Sequence, residues 1–181
     1  MLLTAALVVW GNGNPSRASL LRAMDVIELA RTADRIVIGK VVGVNAAWDL
    51  QHRRILSTID VDIEESWKGA AEGSARITIV QPGGRVGELE MTVQGMPSFV
   101  AGERSLLFLQ GRRHFQVAGM GQGKRALAWH EASQEWLVES PTTEDVVEVG
   151  PDARLRQAKH QAPIPLRELR ERIRQALGNS P

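Results

Sequence analysis

Between Ile55 and Ile63 the apolar positions recur at every second residue. Ile55, Ser57, Ile59, Val61 and Ile63 take one face, and Thr58, Asp60, Asp62 and Glu64 take the other. A period of two over this distance predicts a strand over Ile55–Glu65, with one side on a core and one side in water. Arg35–Val44 is rich in Ile and Val and apolar on both faces for part of its length, which predicts a second strand. Ala46–Arg53 between them reads as a loop or hairpin tip. Further strands are predicted at Ala75–Gln81, Leu89–Gln94, Arg104–Gln110, His114–Ala118, Arg125–His130 and Glu135–Glu139. Turn signals separate them: Pro82-Gly83-Gly84, Gly95 with Pro97, Gly111, Gly119 to Gly123, and Ala132-Ser133. Connections this short do not accommodate parallel crossovers, so consecutive neighbours are expected to be antiparallel. Many short strands with close turns predict a mostly β protein, a closed or nearly closed antiparallel barrel.

A helical period appears twice. Asp25-Val26-Ile27-Glu28 resembles a capping box, with Asp25 as N-cap and Glu28 three residues on; the short helix that follows ends near Ala33. So short a helix is unstable alone and must dock on something. Near the other end, Pro165 suits the first residue of a helix reaching Leu177, with Gly178 as its stop. Leu166, Leu169, Ile173 and Leu177 form one apolar stripe, while Arg167–Glu171 and Glu168–Arg172 are pairs four apart on the polar side. The expected organisation is a barrel domain over 19–140, an extended connection over 141–163 and the C-terminal helix over 164–178.

Residues 1–18 read differently. Leu2 to Trp10 is an apolar run of signal-peptide length, too short to span a bilayer, and Ser16-Arg17-Ala18 offers small residues for cleavage. No basic residue precedes the run. The expectation is an exported, extracytoplasmic protein, periplasmic or secreted; the alternative is a buried N-terminal strand in a cytoplasmic one.

Composition narrows the chemistry. A chain of 181 residues with 43% hydrophobic and 24% charged residues can build a core without a metal or disulfide staple. No cysteine is present, so thiol nucleophiles, zinc-thiolate sites and disulfides are excluded. Lys plus Arg number 22 against 21 for Asp plus Glu, a balance that offers no global field for nucleic acid or anionic membrane. Arg53-Arg54, Arg112-Arg113 and Lys124-Arg125 sit at expected turns, where arginines beside aromatics clamp single strands in some barrels. Tyr is absent and Phe occurs three times, so nucleic acid is not favoured.

Gly119-Met120-Gly121-Gln122-Gly123-Lys124 fails as a phosphate loop: three residues rather than four separate Gly119 from Gly123-Lys124, and Arg125 follows instead of Ser or Thr. A glycine-rich β-turn is the better reading. His52, His114, His130 and His160 are isolated, and ordinary surface histidines are the favoured reading; His130 with Glu131 and Glu135 is the least implausible metal cluster. Asp60, Asp62 and Glu64 on one strand face could bind a hard cation, but a solvated face that discourages edge pairing is favoured. No Gly-x-Ser-x-Gly elbow exists. No catalytic, cofactor-binding or metal residue is assigned, and no cofactor. The contact surface expected is Trp48, Asp49, Arg53 and Arg54, since a Trp in a polar loop often marks a contact; a Trp48 that acts as a lid over the barrel end is the favoured alternative.

Glu28-Leu29-Ala30-Arg31-Thr32-Ala33-Asp34-Arg35-Ile36-Val37-Ile38-Gly39-Lys40-Val41 leads into a strand ending Glu65-Ser66-Trp67-Lys68-Gly69. This resembles the opening of netrin-like domains and tissue inhibitors of metalloproteinases, where an Ala-Asp-hydrophobic strand precedes one closing on an aromatic-Lys-Gly turn. The rest looks like exported bacterial proteins with the same start. The resemblance implies a five-stranded oligonucleotide/oligosaccharide-binding-like (OB-like) barrel with packed helices. Those inhibitors chelate zinc through an N-terminal cysteine, which this chain lacks, so no functional position carries over. The expected role is an exported, non-enzymatic binding module whose partner is another protein, a protease being one kind. The alternatives are a metal-dependent enzyme with dispersed ligands and a single-strand nucleic-acid-binding barrel.

Overall fold

The computed structural model describes residues 21–69, 75–140, 146–149, 155–157 and 162–178; the expected leader over 1–18 lies outside the described residues. In chain order the elements are β1 (Leu21–Arg22), α1 (Val26–Thr32), β2 (Arg35–Trp48), β3 (Ile55–Lys68), β4 (Arg76–Pro82), β5 (Gly84–Val86), β6 (Leu89–Met91), β7 (Arg104–Gly111) and β8 (Phe115–Val117). There follow a 3-10 turn (Met120–Gly123), β9 (Lys124–His130), β10 (Glu135–Val138), β11 (Val146–Val149), β12 (Leu155–Gln157), β13 (Ile164–Pro165) and α2 (Leu166–Gly178).

Five strands close into a barrel. β2 pairs antiparallel with β3, β3 with β4 and β7 with β2, and β8 joins β4 to β7, its pairing with β4 being parallel. β7 shares its second edge between two strands: Leu109 to Gly111 pair with β8, and Ser105 to Leu107 pair with β9. From β9 the sheet continues outward through β10 to β13.

The alternation read in β3 is the alternation observed: Ile55, Ser57, Ile59 and Val61 are buried and the residues between them only partly so. Val37, Val41, Ile59, Val61, Ile77, Ile79, Leu107, Leu109 and Phe115 fill the barrel. The residues between them on β2 and β7 point outward yet are equally buried, because both helices cover that face. Ile36, Ile38, Leu106 and Phe108 pack against Leu29 and Ala30 of α1 and Leu169 and Ile173 of α2. This second core explains why β2 reads as apolar on both faces. The C-terminal stripe therefore covers the barrel.

Both helices follow local rules. Asp25 caps α1 by accepting from the N–H groups of Ile27 and Glu28, at 2.7 and 2.8 Å. Glu28 does not complete the box; it pairs instead with Arg22. In α2 the expected Glu168–Arg172 pair forms, whereas Arg167 turns to Glu135 of β10 and Glu171 turns to Arg174.

Several expectations are corrected. β2 runs on to Trp48, so the hairpin tip is Asp49–Arg54 and not Ala46–Arg53. Pro165 ends the edge strand β13, where its missing N–H costs no ladder bond, and α2 starts one residue later. The 141–163 connection is not wholly extended chain: β11 pairs parallel with β1 and antiparallel with β12. Val146, Val147 and Val149 carry β propensity that the polar flanks obscured. Gly119–Gly123 is a 3-10 turn entered through left-handed Gly119 (φ 60°), not a β-turn. The Leu89–Gln94 strand stops at Met91.

Candidate functional site

The β2–β3 hairpin overshoots the barrel. β7 covers the far edge of β2 from Arg35 to Lys40. Next, Val41 N–H donates to the Glu103 carbonyl (2.9 Å) and Gly102 N–H donates to the Val41 carbonyl (2.8 Å). At that point the pairing with β3 slips between Val41 and Gly43, making Val42 the extra residue of a bulge. From Val42 to Trp48 no strand among the described residues pairs with this edge.

Asp49 fastens the tip. Its carboxylate accepts from Arg53 N–H (2.8 Å) and meets Arg54 Nε at 3.4 Å; its N–H donates to the Arg54 carbonyl. The hydrogen bond from Arg53, assisted by Arg54, lowers the Asp49 pKa below the ordinary carboxylate value. Trp48 is 36% exposed, with its ring centroid 6.3 Å from that of His52, and Leu50 is 98% exposed. The structure thus brings Trp48, Asp49, Arg53 and Arg54 together on one tip, with Asp49 and Arg54 occupied in holding its shape.

Beside the hairpin lies an open pocket of about 270 Å³ at the mouth of the barrel. Val44, Ile59, Met91, Val93, Met96 and Phe99 supply its apolar wall, and Ser57, Gln81, Glu90, Thr92 and Ser98 add polar groups. The wall is pinned rather than loose. Gln81 Nε2 donates to the Pro97 carbonyl (2.8 Å), Lys124 Nζ donates to the Ser98 carbonyl and sits 4.7 Å over the Phe99 ring, and Gly121 N–H donates to the Gly95 carbonyl. Ser57 Oγ donates to the Gly83 carbonyl at 2.7 Å. Gln81 Oε1 is buried and accepts no hydrogen bond among the described residues, a state that costs free energy. Six of the seven exposed large hydrophobics among the described residues, Val42, Val44, Trp48, Leu50, Leu89 and Val100, belong to segments of this end.

The other candidates have structural partners. Asp60 accepts from Thr78 Oγ1, Asp62 pairs with Arg76, Glu64 with Arg104 and Glu65 with Arg170, so the carboxylates of β3 bind neighbouring elements instead of converging. His130 Nδ1 lies 2.8 Å from Ser133 Oγ, Glu131 accepts from Gln134, and Glu135 faces Arg167. His52 and His114 are exposed, and His160 lies outside the described residues. No group of three metal-ligating side chains occurs among the described residues, and no described helix is long and apolar enough to cross a membrane.

The Trp67-Lys68-Gly69 turn is a clasp. Trp67 packs into the helix-side core, Lys68 Nζ donates to the carbonyls of Ala30 and Arg31 at 2.9 and 3.0 Å, and Gly69 (φ 74°) passes against the Asp34 carbonyl. Asp34 in turn accepts from Gly111 N–H. These residues tie α1 to the barrel.

Sequence reasoning missed the pocket, whose lining comes from β2, β3, β4 and the chain after β5, with no motif among them. It also missed Arg125, which is 8% exposed and has no hydrogen-bonding or charged partner among the described residues. Burial lowers its pKa to about 10. No protein-family model and no curated protein matches the chain.

Proposed function

We propose that the chain is a non-enzymatic binding module that holds another protein at the open end of its barrel. One observation carries this reading: a pinned, partly apolar pocket opens beside the β2–β3 hairpin, with the exposed Val44 in its wall. Pockets of this make-up bind apolar groups and orient them by a few polar atoms. Rigid walls favour binding because little is ordered on association. The pairing of Asp62, Glu64 and Glu65 with arginines supports a role without acid–base chemistry. We read the barrel as OB-like and netrin-like on its strand order, its single parallel contact and the Trp67–Gly69 clasp. An extracytoplasmic location and a protease as partner belong to the same proposal.

The test uses N-acetyl-leucinamide and N-acetyl-phenylalaninamide as probes, titrated into isotope-labelled protein and followed by NMR. Shifts confined to Val44, Ile59, Gln81, Met96 and Phe99 are expected, and Phe99→Asp should remove them. Shifts scattered over the surface, or none, would overturn the reading.

A further inference from the structure

We infer that the partner at this end binds as an extended strand, pairing with the edge of β2 over Val42–Trp48 that no described strand covers, and placing an apolar side chain in the pocket. This rests on the binding reading above and names the form the partner takes.

The backbone supplies the first argument. Asp49 N–H bonds to the Arg54 carbonyl, so residue 49 turns its polar backbone towards β3. Antiparallel pairing alternates, so Ala47, Asn45 and Gly43 also turn inward, leaving the N–H and C=O groups of Val44, Ala46 and Trp48 on the other edge. Those three residues oppose Ile59, Ser57 and Ile55, the inward set of β3. The residues with free backbone groups therefore present their side chains on the pocket side, Val44 at 40% exposure. A strand added here would complete a ladder of about 23 Å and face the pocket with every second side chain.

The sequence of the edge supplies the second. Proteins blunt free edges with charges, proline or cover. Val42-Gly43-Val44-Asn45-Ala46-Ala47-Trp48 has no charged residue and no proline. Cations flank it instead. Lys40 is exposed at one end; at the other, Arg53 donates to Gln51 Oε1 at 3.1 Å. Neither forms an ion pair among the described residues. An uncharged edge with Lys40 at one end and the Arg53–Arg54 turn at the other fits an extended segment that is apolar in the middle and acidic at its ends. A second copy of this chain fits poorly, because antiparallel pairing of two such edges brings Lys40 of one beside Arg53 and Arg54 of the other.

The experiment is selection from a library of short random peptides on the full chain, with Ala46→Pro as the control. Residue 46 turns its N–H away from β3, so proline there leaves the β2–β3 ladder intact and blocks only the free edge. Enriched peptides should alternate apolar and polar residues, carry Asp or Glu at their ends, and lose binding to the Ala46→Pro protein. N-methylating the peptide amides that face β2 should weaken binding about five- to tenfold each. Should the variant fail to fold, the N-methylated peptides decide alone. Peptides that bind and shift Ile59 and Phe99 but ignore N-methylation would overturn strand pairing while leaving the binding module standing. No enrichment would overturn the inference; the amide probes then judge the module separately. Self-association abolished by Ala46→Pro would overturn it in favour of a second copy.

Discussion

At Gly39 a methyl group would collide with Val61 Cγ1 and come within 2.8 Å of the Asp62 carbonyl oxygen. The register of β2 on β3 slips at this residue, and β2 bends there into the barrel. Gly39→Ala is therefore expected to cost about 1–3 kcal/mol of stability by overpacking, read from denaturant unfolding. Lys68→Met keeps the apolar stem but removes two charge-assisted bonds to the end of α1; a loss of about 1–2 kcal/mol is expected in the same assay. Arg125→Met should go the other way. A largely buried guanidinium whose Nε has no hydrogen-bond partner among the described residues is a liability, so a gain of about 1–3 kcal/mol is expected. Burial lowers its pKa to about 10, below the ordinary guanidinium value, so above about 10 the unfolded chain holds a proton that the folded one has lost. The wild type should thus gain stability as pH rises through about 10, and the variant should lack that gain.

α2 adds an acid-side expectation. Hydrogen bonds from Arg174 and then Gln175 hold Glu171 at a pKa of about 2, well below its ordinary 4.5. Its contribution is fully present above the unfolded value and is lost as pH falls through about 2. Helix content should therefore fray at the C-terminal end in that window, and Glu171→Gln should flatten the dependence followed by NMR. Of the elements, β3 and α2 were legible because their periods of 2 and 3.6 are long and unbroken. β2 was legible only to Val44. Asn45-Ala46-Ala47 has the composition of a loop, and it is strand because it lies across from Leu56, Ser57 and Thr58. β11 and β12 were hidden for the related reason that short polar-flanked strands take their identity from their partners. Trp48, Asp49, Arg53 and Arg54 were readable as one group because they are close in sequence. What Asp49 does there was not readable, since its bonds to Arg53 and Arg54 depend on the turn closing.

Over the whole molecule, two cores divide the labour. The helix side, packed on Ile36, Ile38, Leu106 and Phe108, closes one outer face of the barrel. The β2–β3 hairpin beyond β7 keeps Val42, Val44, Trp48 and Leu50 exposed beside a pinned pocket. Composition could not reveal this polarity, because six exposed hydrophobics in an ordinary sequence look like any others until the chain places them together. The pocket was illegible for the same reason, and so was the want of a partner at Arg125. In the binding proposal, the same asymmetry lets the overshooting β2–β3 hairpin serve as a docking edge as well as a wall of the barrel. The most direct test is amide hydrogen exchange read residue by residue along β2 in the free protein. A two-residue rhythm is expected, with Gly43, Asn45 and Ala47 protected and Val44, Ala46 and Trp48 exchanging fast. Uniform protection from Val42 to Trp48 would mean the edge is already taken, and would contradict the account.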